Sequence, residues 1–192
     1  MITIQQLLLK ISVVYLMIKI GKDIVGLPII CLEKENENIE IKDIICCKKS
    51  FRVIAFLVDE GGYFHQPKII YFKNIKSIGE DAVVIQKQEC IKSTKEYIGK
   101  FYLRKKLLGL KVITDTGDYV GNVQDILIEI LTGKLLGLIL TEGLFDDLVE
   151  GRPILPLQDS LYINKNSIII PKSLNTSTLY NTGGLKKLLP LE

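Results

Sequence analysis

The sequence predicts an all-β protein of two tandem small β-barrels, with short appendages at its two ends. Three observations carry that prediction. Short runs of Val, Ile and Leu are punctuated by Asp, Gly and Asn from about residue 25 to residue 170, which is the pattern of short strands and tight turns. Residues 121–143, GNVQDILIEILTGKLLGLILTEG, read as a strand, a turn and a strand. That hairpin also has a counterpart. IKDIICCKKSFRVIAFLVDEG (41–61) lies without a gap over VQDILIEILTGKLLGLILTEG (123–143), so that Asp43 falls on Asp125, an offset of 82.

The elements follow in order. VGLPII (25–30) matches LGLKVI (108–113), and IIYFKNIKSIGEDAVVI (69–85) matches ILPLQDSLYINKNSIII (154–170). The later unit begins with an extended Lys111–Thr114 and a turn at DTGD (115–118). A long strand is expected from Tyr119 to Leu131, a turn at TGK (132–134) and a strand from Leu135 to Thr141. Along 123–130, alternation places Val123, Asp125, Leu127 and Glu129 on one face and Gln124, Ile126, Ile128 and Ile130 on the other. Leu135–Leu140 is apolar at nearly every position, so both of its faces are expected to be covered. Closing such a sheet into a small barrel fills its interior and removes its edges. The expected organisation is an apolar extension (1–16), a first unit (17–91), a linker (92–106), a second unit (107–172) and a polar tail with a short apolar end (173–192).

Composition narrows the function classes. Of the 192 residues, 47% are hydrophobic and 24% charged, which supports a packed core and excludes bulk disorder. A net charge of +3, from 25 basic and 22 acidic residues, predicts no nucleic-acid or membrane partner by itself. Cys31, Cys46, Cys47 and Cys90 form no C-x-x-C and stand beside a single histidine, His65, so a zinc site is not predicted. Free, mostly buried thiols in a reducing cytoplasm are expected instead. LLLKISVVYLMI (7–18) is too short and too interrupted for a spanning helix. It reads as an interfacial helix, an added element, or sequence upstream of a start at Met17.

With these residues in view, LLGLKVITDTGDYVGNVQDILIEILTGKLLGLIL, followed by ILPLQDSLYINKNSIII, resembles the PRC-barrel domain family. The resemblance rests on Gly109, Val112, Asp115, Gly117, Gly121, Val123, Asp125 and Thr132-Gly133-Lys134, and covers about residues 107–172. The first unit departs further, with Pro28 in place of Lys111 and Phe51 opposite Gly133. The family implies a β-barrel adaptor for protein–protein or ribonucleoprotein contacts, and no catalyst.

Candidate chemistry is sparse. Asp43 and Asp125 each open a strand after a turn, where a carboxylate caps backbone N–H groups. Asp115, Gly109, Gly117, Gly121 and Gly133 are expected to shape turns. Glu142, Asp146, Asp147 and Glu150 lack the spacing of a calcium loop and read as solvated. Tyr63 and Phe64 in the first unit, and Leu144, Phe145 and Leu148 in the second, stand on equivalent loops as barrel plugs or a docking patch. No nucleophile triad, dinucleotide loop or phosphate loop is present, so no cofactor and no small-molecule substrate are expected. Lys48-Lys49, Arg104-Lys105-Lys106 and Lys186-Lys187 read as solvated faces, not phosphate grips. The expected function is a non-catalytic, cytoplasmic adaptor that binds another protein. A ribosome- or RNA-associated assembly factor is the alternative, and peripheral membrane contact is a weaker third.

Overall fold

The computed structural model describes residues 17–33, 39–47, 49–63, 66–94, 101–141, 153–157 and 161–175. The first part of the chain forms β1 (Ile18–Ile20), β2 (Ile29–Cys31), β3 (Asp43–Cys47), β4 (Val53–Asp59), β5 (Lys68–Tyr71), β6 (Ile75–Ile78), β7 (Val83–Ile85) and β8 (Ile91–Ser93). The second part forms β9 (Phe101–Leu103), the short helix α1 (Arg104–Leu107) and β10 (Lys111–Thr114). The long hairpin β11 (Tyr119–Glu129) and β12 (Lys134–Thr141) follows. The chain then makes β13 (Ile154–Pro156), β14 (Tyr162–Ile163), β15 (Ser167–Ile170) and the terminal turn α2 (Lys172–Asn175). The protein is all-β, as its punctuated apolar runs predict.

The strand pairings of the two halves correspond residue by residue. In the first hairpin Asp43 faces Leu57 and Ile44 faces Phe56. In the second, Asp125 faces Ile139 and Ile126 faces Leu138, each residue 82 positions further on. The next strand joins alike, with Phe56 against Ile70 and Leu138 against Leu155. In both halves a late strand returns parallel to an early one, Ile29 against Val83 and Val112 against Ile168. In the second half β10 pairs with both β11 and β15, whereas in the first the pair β2–β7 lies with β6 in a sheet apart from that of the hairpin.

The halves are not self-contained, however. β1, from the first half, pairs with β11 through Ile18↔Glu129, Lys19↔Ile128 and Ile20↔Leu127. β9, from the second half, pairs with β3 through Cys47↔Phe101, Cys46↔Tyr102 and Ile45↔Leu103. These registers are mutual images. Each half gives a strand to the other's sheet, so residues 92–106 are not a plain linker: they hold β9 and most of α1. Between the two crossings the hairpins meet back to back. Val53 N–H donates to Gly133 O at 2.8 Å and Leu135 N–H donates to Phe51 O at 2.9 Å, with Arg52 bridged to Lys134. An approximate two-fold axis therefore runs between Arg52 and Lys134.

One apolar cluster runs through both halves, with Ile24, Phe56 and Ile85 of the first joined to Ile126, Leu138 and Ile168 of the second. Burying each such side chain contributes about 1.5–3 kcal/mol, and neither half supplies the whole set. The alternation expected along 123–130 holds from Ile126 to Ile130 and fails at Val123. The β11–β12 register shifts between Val123 and Asp125, and again between Leu127 and Ile128. The first bulge inserts Gln124 in β11 and brings Val123 into the same core as Ile126 and Ile128, and the second inserts Leu136 in β12. Leu127 turns instead to a smaller cluster with Ile139 and Ile154.

Candidate functional site

The two equivalent aspartates lie at the crossings. Asp43 and Asp125 are both almost fully buried. Each accepts the N–H of its own successor, Ile44 at 2.8 Å and Ile126 at 2.7 Å; Asp43 opens β3 as expected, whereas Asp125 lies inside β11, just past a bulge. Each also accepts a backbone N–H from the opposite half. Lys105 N–H points at both oxygens of Asp43, at 3.3 and 3.4 Å, and Lys22 N–H reaches Asp125 at 3.1 Å. Burial pushes the Asp43 carboxyl above its usual pKa, and the Ile44 and Lys105 bonds and the nearby Lys105 and Arg104 charges only partly oppose it.

Asp125 differs from Asp43 in having a cation. Arg104 grips it with Nε at 2.7 Å and Nη2 at 2.5 Å, a bidentate pair with both side chains buried. The Asp125 hydrogen bond holds the guanidinium pKa above its ordinary value, against the burial that lowers it, and Asp43 and Asp23 nearby add to the effect. The reading of Arg104-Lys105-Lys106 as a solvated face is corrected here: Arg104 is buried, while Lys105 and Lys106 are exposed. Only a register linking β9 to β3 carries Arg104 inward, and the triplet itself gives no sign of it. Lys19 is a second such case, buried on β1 with its Nζ 3.0 Å from the exposed Glu80.

The expected turn residues sit at turns or close contacts. Gly109 N–H donates to Val123 O at 2.7 Å. Gly117 occupies the tight turn before β11, where Thr114, Thr116 and Asp118 hydrogen-bond one another. Asp115 accepts the Lys172 N–H at 3.0 Å and so pins the start of α2. At Gly121 an added Cβ would lie 3.1 Å from Thr141 O, so the strands approach closely there. Gly133 has φ +70°, and its equivalent, Phe51, holds φ +47° despite carrying a side chain.

The cysteines are less buried than their composition suggested. Cys46 alone is buried, its thiol pushed up to about 12 by burial, whereas Cys31, Cys47 and Cys90 are half-buried. A hydrogen bond with Ser50 lowers the Cys47 thiol pKa.

Of the loop residues expected to dock or plug, Tyr63 is fully exposed within the β4–β5 connection. Phe64, Leu144, Phe145 and Leu148, together with His65 and the carboxylates from Glu142 to Glu150, lie outside the described residues. In sequence, Tyr63 follows the lip of an open concavity of about 830 Å³ lined by Glu40, Lys42, Asp59, Glu60 and Lys68 among others. Several of these charges are paired, Lys42 with Glu40 at 2.6 Å and Glu60 with Lys105 at 2.5 Å. The rim is balanced and polar, and the described residues lining it include no histidine or cysteine to act as base or nucleophile. No helix among the described residues is long and apolar enough to cross a membrane.

Among curated proteins no relative matches the chain. A family comparison does match, from before the crossing strand β9 to the start of α2, and the first half falls outside it. Residues 99–173 match the family model of the PRC-barrel domain, a general protein-interaction or small β-barrel module.

Proposed function

We infer that the chain is a non-catalytic cytoplasmic adaptor that binds another protein, and that its first half is a second, divergent copy of the PRC-type unit. The second copy is supported by the shared registers of the two hairpins, the two parallel returns and the two mutual crossings. The adaptor reading is carried by one observation: the two repeated carboxylates, the best candidates for chemistry, are buried and bound to backbone N–H groups where the halves join. Carboxylates so held have no open approach for a substrate. The fully exposed Tyr63 offers contact area instead.

The test is affinity capture by the full chain from native lysate, with and without RNase, beside a Tyr63→Ala variant. The adaptor reading expects a discrete partner that survives RNase and is depleted with the variant. RNase-sensitive co-sedimentation with ribosomal subunits, weakening as salt rises, would replace it with the assembly-factor reading. Carbonate-resistant pelleting that depends on residues 1–16 would replace it with a membrane-peripheral one.

A further inference from the structure

We propose that the junction between the halves is keyed by a single guanidinium, Arg104 facing Gly21, so that it accepts only two unlike halves. The inference stands on strand register and does not depend on the partner proposed above.

Gly21 and Arg104 occupy equivalent places. Each follows directly on a crossing strand, β1 or β9, and each opens a short helical turn. The residue after each, Lys22 or Lys105, gives its N–H to the aspartate of the opposite half. The backbone scheme is thus the same on both sides of the axis, and the side chains are not. A Cβ built on Gly21 would lie 2.5 Å from Arg104 Nε, 2.6 Å from its Cδ and 2.6 Å from Asp125 Oδ1. The arginine therefore fills the space that any side chain at Gly21 would need.

Two alternatives fail on this geometry. Arginine on both sides would place two buried cations in one volume. Glycine on both sides would leave two buried carboxylates facing the axis with no cation, which is costly at low effective dielectric. One arginine and one glycine is the combination that fits. A second half could not take the place of the first, because Arg104 would then meet its own equivalent. The bare Asp43 tolerates the arrangement because it holds backbone N–H donors and feels the charge of Arg104 nearby.

The test is a set of full-chain variants compared by urea midpoint. Gly21→Ala is expected to lower the midpoint clearly in the native background and to lower it less in an Arg104→Ala background, where the guanidinium is gone and only Asp125 Oδ1 remains of the three close contacts. Arg104→Gly is expected to lower the midpoint by roughly 1 M, as the loss of one partner of a buried pair does. Adding Gly21→Arg to Arg104→Gly moves the guanidinium beside Asp43 and is expected to recover much of that loss. If Gly21→Ala costs the same in both backgrounds, the key is overturned. If the relocated arginine folds and its effect merely adds to that of Arg104→Gly, the equivalence of the two positions is overturned. Should that variant fail to fold, the alanine pair alone decides.

Discussion

The two halves share a backbone plan and differ in how they satisfy it. At the hairpin turn the second half has Gly133 with φ +70°, and the first has Phe51 with φ +47°. At the crossing the second half answers its buried carboxylate with Arg104, and the first leaves Asp43 to backbone donors. After the hairpin the first half connects to its next strand over residues 60–67 and the second over a longer stretch, 142–153. Pairing and packing therefore specify this fold more firmly than local propensity does. A left-handed phenylalanine costs about 1–3 kcal/mol and persists only because the bonds from Val53 to Gly133 and from Leu135 to Phe51 fix the strands around it.

Breaking the two carboxylates separately sharpens that contrast. Asp125→Ala leaves Arg104 buried without its partner, side chains that are only 11% and 5% exposed in the pair, and is expected to cost about 3–5 kcal/mol in chemical denaturation. Asp43→Ala strands only neutral N–H donors and is expected to cost about 1–3 kcal/mol in the same assay. Equal losses would mean that the arginine does not distinguish the halves. At the turn, Gly133→Ala introduces a Cβ in a left-handed conformation, 2.9 Å from the Phe72 ring, and is expected to lose about 1–2 kcal/mol by thermal melting.

The pH response gives a gentler probe of Asp43. The folded pKa of Asp43 is raised above its unfolded value, so the folded state binds that proton more tightly than the unfolded chain does. The contribution of Asp43 is thus greatest below the ordinary aspartate range and is lost as pH rises through the raised pKa. Asp43→Asn lacks that falling contribution, so its urea midpoint minus that of the native chain should rise as pH increases through that window. An unchanged difference between the two chains across it would place the titration elsewhere. The smallest structural effect is expected at Tyr63→Ala: within about 0.5 kcal/mol of native stability, because the ring is fully exposed, and with partner capture as the property that changes.

Much of this was legible in the residues. The gapless overlay of 41–61 on 123–143 places Asp43 with Asp125 and Phe56 with Leu138, and the hairpin registers keep those pairs. The position of Asp43 at a strand start predicts its bond to Ile44, and the overlay carries the same bond to Asp125 and Ile126, although Asp125 lies within β11. The crossings were not legible. IKI (18–20) and FYL (101–103) are short apolar strands that fit either half equally well, and which sheet edge each takes depends on the packing of distant residues. Arg104 and Lys19 were missed for the same reason, since a basic side chain in a mixed run is ordinarily solvated until tertiary pairing carries it inward. The bulge at Gln124 in β11 also escaped a period-of-two reading, because it answers to sheet curvature and not to sequence alternation.

The reciprocal gift of edge strands has a kinetic meaning. Two separate molecules exchanging β1 and β9 would have to find each other, and their stability would fall on dilution. Joined in one polypeptide, the same exchange becomes a first-order event at an effective concentration set by the tether. Prying β9 from β3 would strip an edge from one sheet while disturbing the Arg104 anchor of the other, so amide protons of β1 and β9 should exchange with solvent in a single concerted opening at any protein concentration.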